Sequence, residues 1–181
     1  MTEVPLICHP QCDAGAVEAI AVAITRSESG EVELTYRVLG SIGALEISAF
    51  ARPERIDGLW KTTCFELFVE NVEDKIYVEY NFAPSGQWAA YRFSGYRANM
   101  ATLETSMPDI RTEQNDSVLT VSVVLHLPDA WQDRNLRAGL SAVIATKNGD
   151  KSYWAAAHPL GKPDFHHKDC FAVQLEARSG A

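Results

Sequence analysis

The side chains best placed for chemistry fall in three neighbouring stretches, residues 63–70, 75–82 and 87–93. Each stretch alternates in polarity, and alternating side chains of a strand face opposite ways. Phe65, Leu67 and Val69, then Ile76, Val78, Tyr80 and Phe82, then Ala89, Tyr91 and Phe93 form the expected core-facing set. The opposite set is Cys64, Glu66 and Phe68, then Tyr77, Glu79 and Asn81, then Trp88, Ala90 and Arg92. Short turns at 71–74 and 83–86 make the stretches neighbours, so Glu66, Glu79, Asn81 and Arg92 are expected to cluster among aromatic rings. Convergent polar groups beside rings suit a sugar or another small polar ligand. Two carboxylates roughly 5 Å apart would also suit a retaining carbohydrate hydrolase built on Glu66 and Glu79. The Arg92 cation beside them would hold both carboxyls low, which favours binding over catalysis. The plainer alternative is that a loop or second sheet covers this face and Arg92 only neutralises the glutamates. In either case parity turns Glu66 away from the core, between Cys64 and Phe68. Burial with Arg92 or a tyrosine hydroxyl as partner is expected, because an unpaired buried carboxylate is costly.

A second group lies at 152–169. Trp154 and His158 are expected on one face of a strand, and the following loop adds Lys162, Asp164, His166, His167 and Lys168. This mixture could edge a pocket. His158 and the adjacent pair His166-His167 raise the question of a metal, but their spacing matches no zinc pattern and favours a hydrogen-bonded loop anchor. Cys8-His9-Pro10-Gln11-Cys12 has no second ligand pair, and Cys64 and Cys170 read as buried, unreactive thiols. No phosphate-binding glycine loop, serine nucleophile elbow or haem-attachment motif occurs. The residues therefore imply no cofactor, while leaving a divalent metal or a haem held by His and Met100 or Met107 open.

The elements that must position these groups are strands. Period-two alternation marks residues 18–25, 31–38, 45–50, 63–70, 75–82, 87–93 and 118–125. Residues 137–145 are apolar on both faces, as in a central strand. Asn148-Gly149 turns the chain into 151–157, and 170–175 closes it. Residues 52–59, 94–110 and 158–168 read as irregular, and 128–135 as one helical turn. Roughly ten evenly spaced strands with little helix predict an all-β, antiparallel, jelly-roll-like β-sandwich, a single domain over residues 1–181.

The 181 residues suffice for a substantial core. A net charge of −8 argues against nucleic acid or an anionic membrane as partner. With few cysteines, no apolar span and no signal-like start, the expected setting is soluble, reducing and cytoplasmic.

Three longer motifs carry a family resemblance: Gly58-Leu59-Trp60-Lys61-Thr62-Thr63-Cys64-Phe65-Glu66, the run from Asn81 to Tyr96, and Ser152-Tyr153-Trp154-Ala155-Ala156-Ala157-His158-Pro159 with Gly161-Lys162-Pro163-Asp164-Phe165-His166. In these, the chain resembles the bacterial DOMON-like proteins, which are similar in fold to family-nine carbohydrate-binding modules. The resemblance implies a β-sandwich that binds a sugar or haem, with sugar clamped between two tryptophans drawn from Trp60, Trp88 and Trp154. The reading is a non-catalytic binding domain for a small polar ligand, a saccharide foremost. Its face is formed by Glu66, Tyr77, Glu79, Asn81, Trp88 and Arg92 and edged by His158, Lys162, Asp164 and His166. A protein-interaction module and a homo-oligomer remain alternatives.

Overall fold

The computed structural model describes residues 2–27, 30–131 and 134–175. Its strands are β1 (Thr2–Cys8), β2 (Val17–Arg26), β3 (Glu31–Gly40), β4 (Cys64–Asn71), β5 (Ile76–Phe82), β6 (Trp88–Phe93), β7 (Ala101–Thr102), β8 (Asp109–Gln114), β9 (Val118–His126), β10 (Leu136–Ala145), β11 (Lys151–Ala155) and β12 (Val173–Leu175). The only helical pieces among the described residues are single 3₁₀ turns, the one at Asp129–Trp131 falling where a helical turn is expected. None is long and apolar enough to cross a membrane.

The strands pair antiparallel in two layers. β7-β6-β5-β4-β10-β11 forms one, with β12 also beside β10, and β2-β3-β9-β8 forms the other. β1 belongs to both: residues 2–6 pair with β2, while Ile7 and Cys8 pair with β11. Between the layers lies the main core. Ile20, Val22 and Ile24 of β2, Val32, Leu34, Tyr36 and Val38 of β3, and Leu119, Val121 and Val123 of β9 meet Phe65, Leu67, Val69, Tyr80 and Phe82. The Tyr36 ring lies 5.0 Å from that of Phe65, and its hydroxyl donates to the Glu66 carbonyl at 2.8 Å. The all-β antiparallel sandwich is the fold the alternation predicts.

Three local expectations are corrected. Residues 45–50 form no strand; only Leu45 makes a bridge, to Thr146, and the rest has no ladder to join. β8 runs through the end of a stretch expected to be irregular. Its sequence Asp-Ile-Arg-Thr-Glu-Gln sits on a sheet edge and is largely exposed, so it carries almost no apolar signal. Third, the parity of β6 is opposite to expectation. The turn at 83–87 sets Phe82 against Trp88 in register, and cross-strand partners share a face. Trp88 and Ala90 therefore join the main core with Phe82 and Tyr80, while Ala89, Tyr91 and Phe93 face outward. Trp88 and Ala90 are as apolar as Ala89, Tyr91 and Phe93, and Arg92 at the end of the strand tips the sequence pattern towards the wrong face.

Candidate functional site

The outer face of the first layer is a lattice that the register fixes. Ala89, Asn81, Glu66, Ser141 and Ala155 lie in one row across β6, β5, β4, β10 and β11. Tyr91, Glu79, Phe68 and Gly139 lie in the next. Above these rows opens a cavity of about 430 Å³. Its floor is Glu66, Glu79, Phe68 and Val143, and its walls are Trp60, Tyr91, Phe93, Tyr153, Phe165 and His166. Lys61, Arg97, Met100, Lys151, Pro163 and Asp164 complete the lining.

Two carboxyl groups on this floor are almost out of water, Glu66 at 3% and Glu79 at 6% exposure. Glu66 Oε2 accepts from Ser141 Oγ at 3.3 Å. Glu79 Oε1 accepts from Asn81 Nδ2 at 2.7 Å, and Asn81 Oδ1 in turn receives the Cys64 thiol at 3.8 Å. Burial holds the Glu66 carboxyl well above the carboxylate range, and neighbouring Glu79 adds to the shift. Burial also lifts Glu79 to about 7, opposed by the Asn81 hydrogen bond and the Arg97 charge. His166 moves the other way: burial and the Arg97 cation lower it to about 4, so the imidazole is neutral at physiological pH.

The tautomer of His166 follows from its neighbours. Tyr77 Oη accepts the Arg97 backbone N–H at 3.1 Å and lies 2.8 Å from His166 Nδ1. Donation of the Tyr77 proton to Nδ1 satisfies both groups and leaves the N–H on Nε2, 3.7 Å from Glu79 Oε2. The ring itself is held by edge contacts with Phe68 and Phe93, both at 5.1 Å.

Two loops fasten over this wall. Arg97 sits in the left-handed region at φ 50° and its guanidinium reaches Asp164 Oδ1 at 2.8 Å. The Tyr96 hydroxyl donates to Asp164 Oδ2, and Asp164 Oδ1 also receives the His166 backbone N–H at 3.2 Å. These bonds keep Asp164 below its ordinary range, despite some burial. Further along, residues 168–171 lie close over Gly139, where an added Cβ would stand 3.1 Å from the Cys170 carbonyl oxygen. Any larger residue would push the loop back from the sheet by a few tenths of an ångström.

Of the residues expected here, Trp60, Glu66, Glu79, Asp164 and His166 line the cavity together. Tyr77 and Asn81 stand behind it as supports. Trp88 and Trp154 do not belong to it: both are buried in the core between the layers, Trp154 Nε1 donating to Ser152 Oγ at 2.9 Å and Trp88 lying under the Arg55 guanidinium at 4.4 Å. A clamp of two tryptophans drawn from these three is therefore not formed. Arg92 has the parity of the core-facing set but lies exposed at the end of β6. The expected burial of Glu66 is found, whereas its partner is Ser141 rather than Arg92 or a tyrosine hydroxyl. β11 ends at Ala155, so His158 lies in the loop, Nε2 bonded to the Ile7 carbonyl oxygen at 2.8 Å, as an anchor would be. Lys162 is exposed and lines a neighbouring hollow together with Cys12, Asp13 and Ser152. Among the described residues no three His, Cys, Asp or Glu side chains gather as a metal site would require.

Sequence reasoning missed Ser141, Tyr91, Phe93, Arg97, Tyr153 and Phe165. Ser141 had a readable signal, a lone hydroxyl inside a strand apolar on both faces. Tyr91 and Phe93 were lost with the parity of β6, whereas Tyr153 on β11 and Phe165 in the following loop carried no signal of their own, and Arg97 lay in a segment without periodicity.

The fold has known counterparts. A Bacteroides uniformis protein proposed to bind carbohydrate superposes with a TM-score of 0.67 at 14% identity, over 97% of this chain and 85% of its own. A family-nine carbohydrate-binding module from Caldicellulosiruptor kristjanssonii, solved with glucose, superposes at 0.54 with 10% identity over 90% and 78%. A structure of a family-nine module from the same organism with cellotriose gives 0.56 at 9% identity over 98% and 84%. At this distance the likeness establishes the shared β-sandwich. No family model matches the sequence, and no curated protein does either.

Proposed function

We propose that this chain is a DOMON-like binding domain whose ligand is a small saccharide, held in the cavity on the outer face of the first layer. The observation that carries the reading is the composition of that cavity: buried carboxyl groups at the floor, aromatic rings around them and long cationic side chains at the mouth. Rings cover the apolar faces of a pyranose, and the carboxyls accept from its hydroxyls. Trp60, at 40% exposure, is the ring most free to lie against a sugar. Sugar-bound family-nine modules among the structural neighbours support the same reading. The four free thiols fit a reducing, cytoplasmic setting.

Binding is favoured over hydrolysis by the state of the glutamates. A retaining hydrolase needs one carboxyl protonated and the other ionised as nucleophile. Here burial drives both upward against the Arg97 charge, and among the described residues no lysine or arginine forms an ion pair with either. Calorimetric titration with glucose, glucosamine and cellotriose tests the proposal. Saturable binding that is lost in Trp60→Ala supports it; no binding to any sugar, or binding indifferent to Trp60, overturns it.

A further inference from the structure

Glu66 and Glu79 share one cavity floor, and among the described residues no lysine or arginine forms an ion pair with either. The ion pairs among the described residues run elsewhere, and Arg97, the cation whose charge reaches both, is bound at 2.8 Å to Asp164. Lys61 and Lys151 are exposed at the mouth. His166 is 3.7 Å from Glu79 Oε2, beyond hydrogen-bonding distance, and neutral. One oxygen of each carboxyl is occupied, by Ser141 and by Asn81. Among the described residues no hydrogen bond takes the other oxygen of either; that of Glu79 lies 3.7 Å from His166 Nε2, and the cavity walls include the rings of Trp60, Tyr91 and Phe93.

This arrangement is a seat for a cation. An ammonium brings three N–H donors and a positive charge, and the floor offers acceptors and carboxylates while the rings attract cations through their faces. A neutral hydroxyl would leave two buried carboxyls to be kept protonated, since two charges side by side in a dry site repel. We infer that, within the saccharide reading, the preferred ligand is an amino sugar with a free protonated amine, the amine lodged between Glu66 and Glu79. The lysines and Arg97 at the mouth disfavour a chain of many amines, so a single amino-bearing unit enters first.

Titrations with glucosamine, glucose and N-acetylglucosamine separate the elements of the inference, because the three differ at one substituent. Glucosamine is expected to bind at least about tenfold more tightly than either of the others. Its binding should also release protons near neutral pH, measured by calorimetry in buffers of different ionisation enthalpy, as the ammonium draws the carboxyls into their charged form. In Glu79→Gln the ratio of glucosamine to glucose affinity should fall towards one and the proton release should shrink. Glu66→Gln reads the same property if the first variant melts early. Glucose bound as tightly as glucosamine, or glucosamine bound without proton release, overturns the amine seat and leaves the saccharide reading standing. Cellotriose bound by the folded protein while none of the three binds overturns the amine seat alone, and no binding of any of the four overturns both.

Discussion

Glu79 on the cavity floor and His166 in the wall above it face each other at 3.7 Å and are displaced by burial in opposite directions. The Glu79 carboxyl rises from 4.5 to about 7, so the stability it contributes is complete below about pH 4.5 and is lost as pH climbs through about 7. The His166 imidazole falls from 6.5 to about 4, so its contribution is present above about pH 6.5 and is lost as pH falls through about 4. Between those limits the two slopes oppose each other. Single substitutions should expose them. Urea unfolding of Glu79→Gln at about pH 5 and about pH 8 should show the variant gaining about 3 kcal/mol on the native chain across that interval. A difference that stays constant with pH would mean that Glu79 does not titrate in this window. His166→Gln should tilt the other way, losing ground to the native chain as pH rises from about 4 to about 6.5. The residue scale was only half legible in the sequence. Parity alone fixed the burial of Glu66, since Phe65 and Leu67 had to face the core. Its partner Ser141 lies 75 residues further along the chain, and pairing between distant strands leaves no local mark.

At the scale of elements, the site depends on loops tied to a rigid sheet. Asp164 joins the loop of Tyr96 and Arg97 to that of His166 through three hydrogen bonds. Arg97 is half exposed, so the ion pair itself adds little to stability. Asp164→Ala should therefore cost roughly 1 kcal/mol of global stability, yet raise hydrogen exchange at 94–99 and 163–167 and weaken ligand binding. Unchanged exchange in both loops would show that they are held by other contacts. Gly139→Ala presses a methyl against the Cys170 carbonyl and should cost about 1–3 kcal/mol while displacing the wall that carries His166. The elements themselves were largely readable. Residues 18–25, 31–38, 63–70, 75–82 and 118–125 alternate and are strands; the apolar run 137–145 is central, between β4 and β11. β8 was hidden because an exposed edge strand has no buried face to advertise. β6 was found but turned over, since Trp88 and Ala90 are no less apolar than Tyr91 and Phe93. That single flip moved Trp88 and Arg92 out of the site and brought in two rings not foreseen.

At the scale of the molecule, the two layers are joined by β1, by the core between them and by the Tyr36 hydroxyl on the Glu66 carbonyl. Tyr36→Phe removes that buried bond and should lower stability by about 1 kcal/mol or somewhat more, because the carbonyl loses a donor. With β1 shared by both layers, calorimetry is expected to show one cooperative transition, in keeping with a single domain; two separated transitions would contradict it. The central claim concerns which face of the sandwich meets the ligand, and the tryptophans report on it directly. Trp60 lines the outer cavity, whereas Trp88, Trp131 and Trp154 lie in the core between the layers. In a titration with glucosamine or cellotriose followed by the indole N–H resonances, the Trp60 signal should move with saturation while the other three hold still. A Trp60 signal that stays fixed while ligand binds, or larger shifts at Trp88 and Trp154, would place the ligand elsewhere and contradict the account.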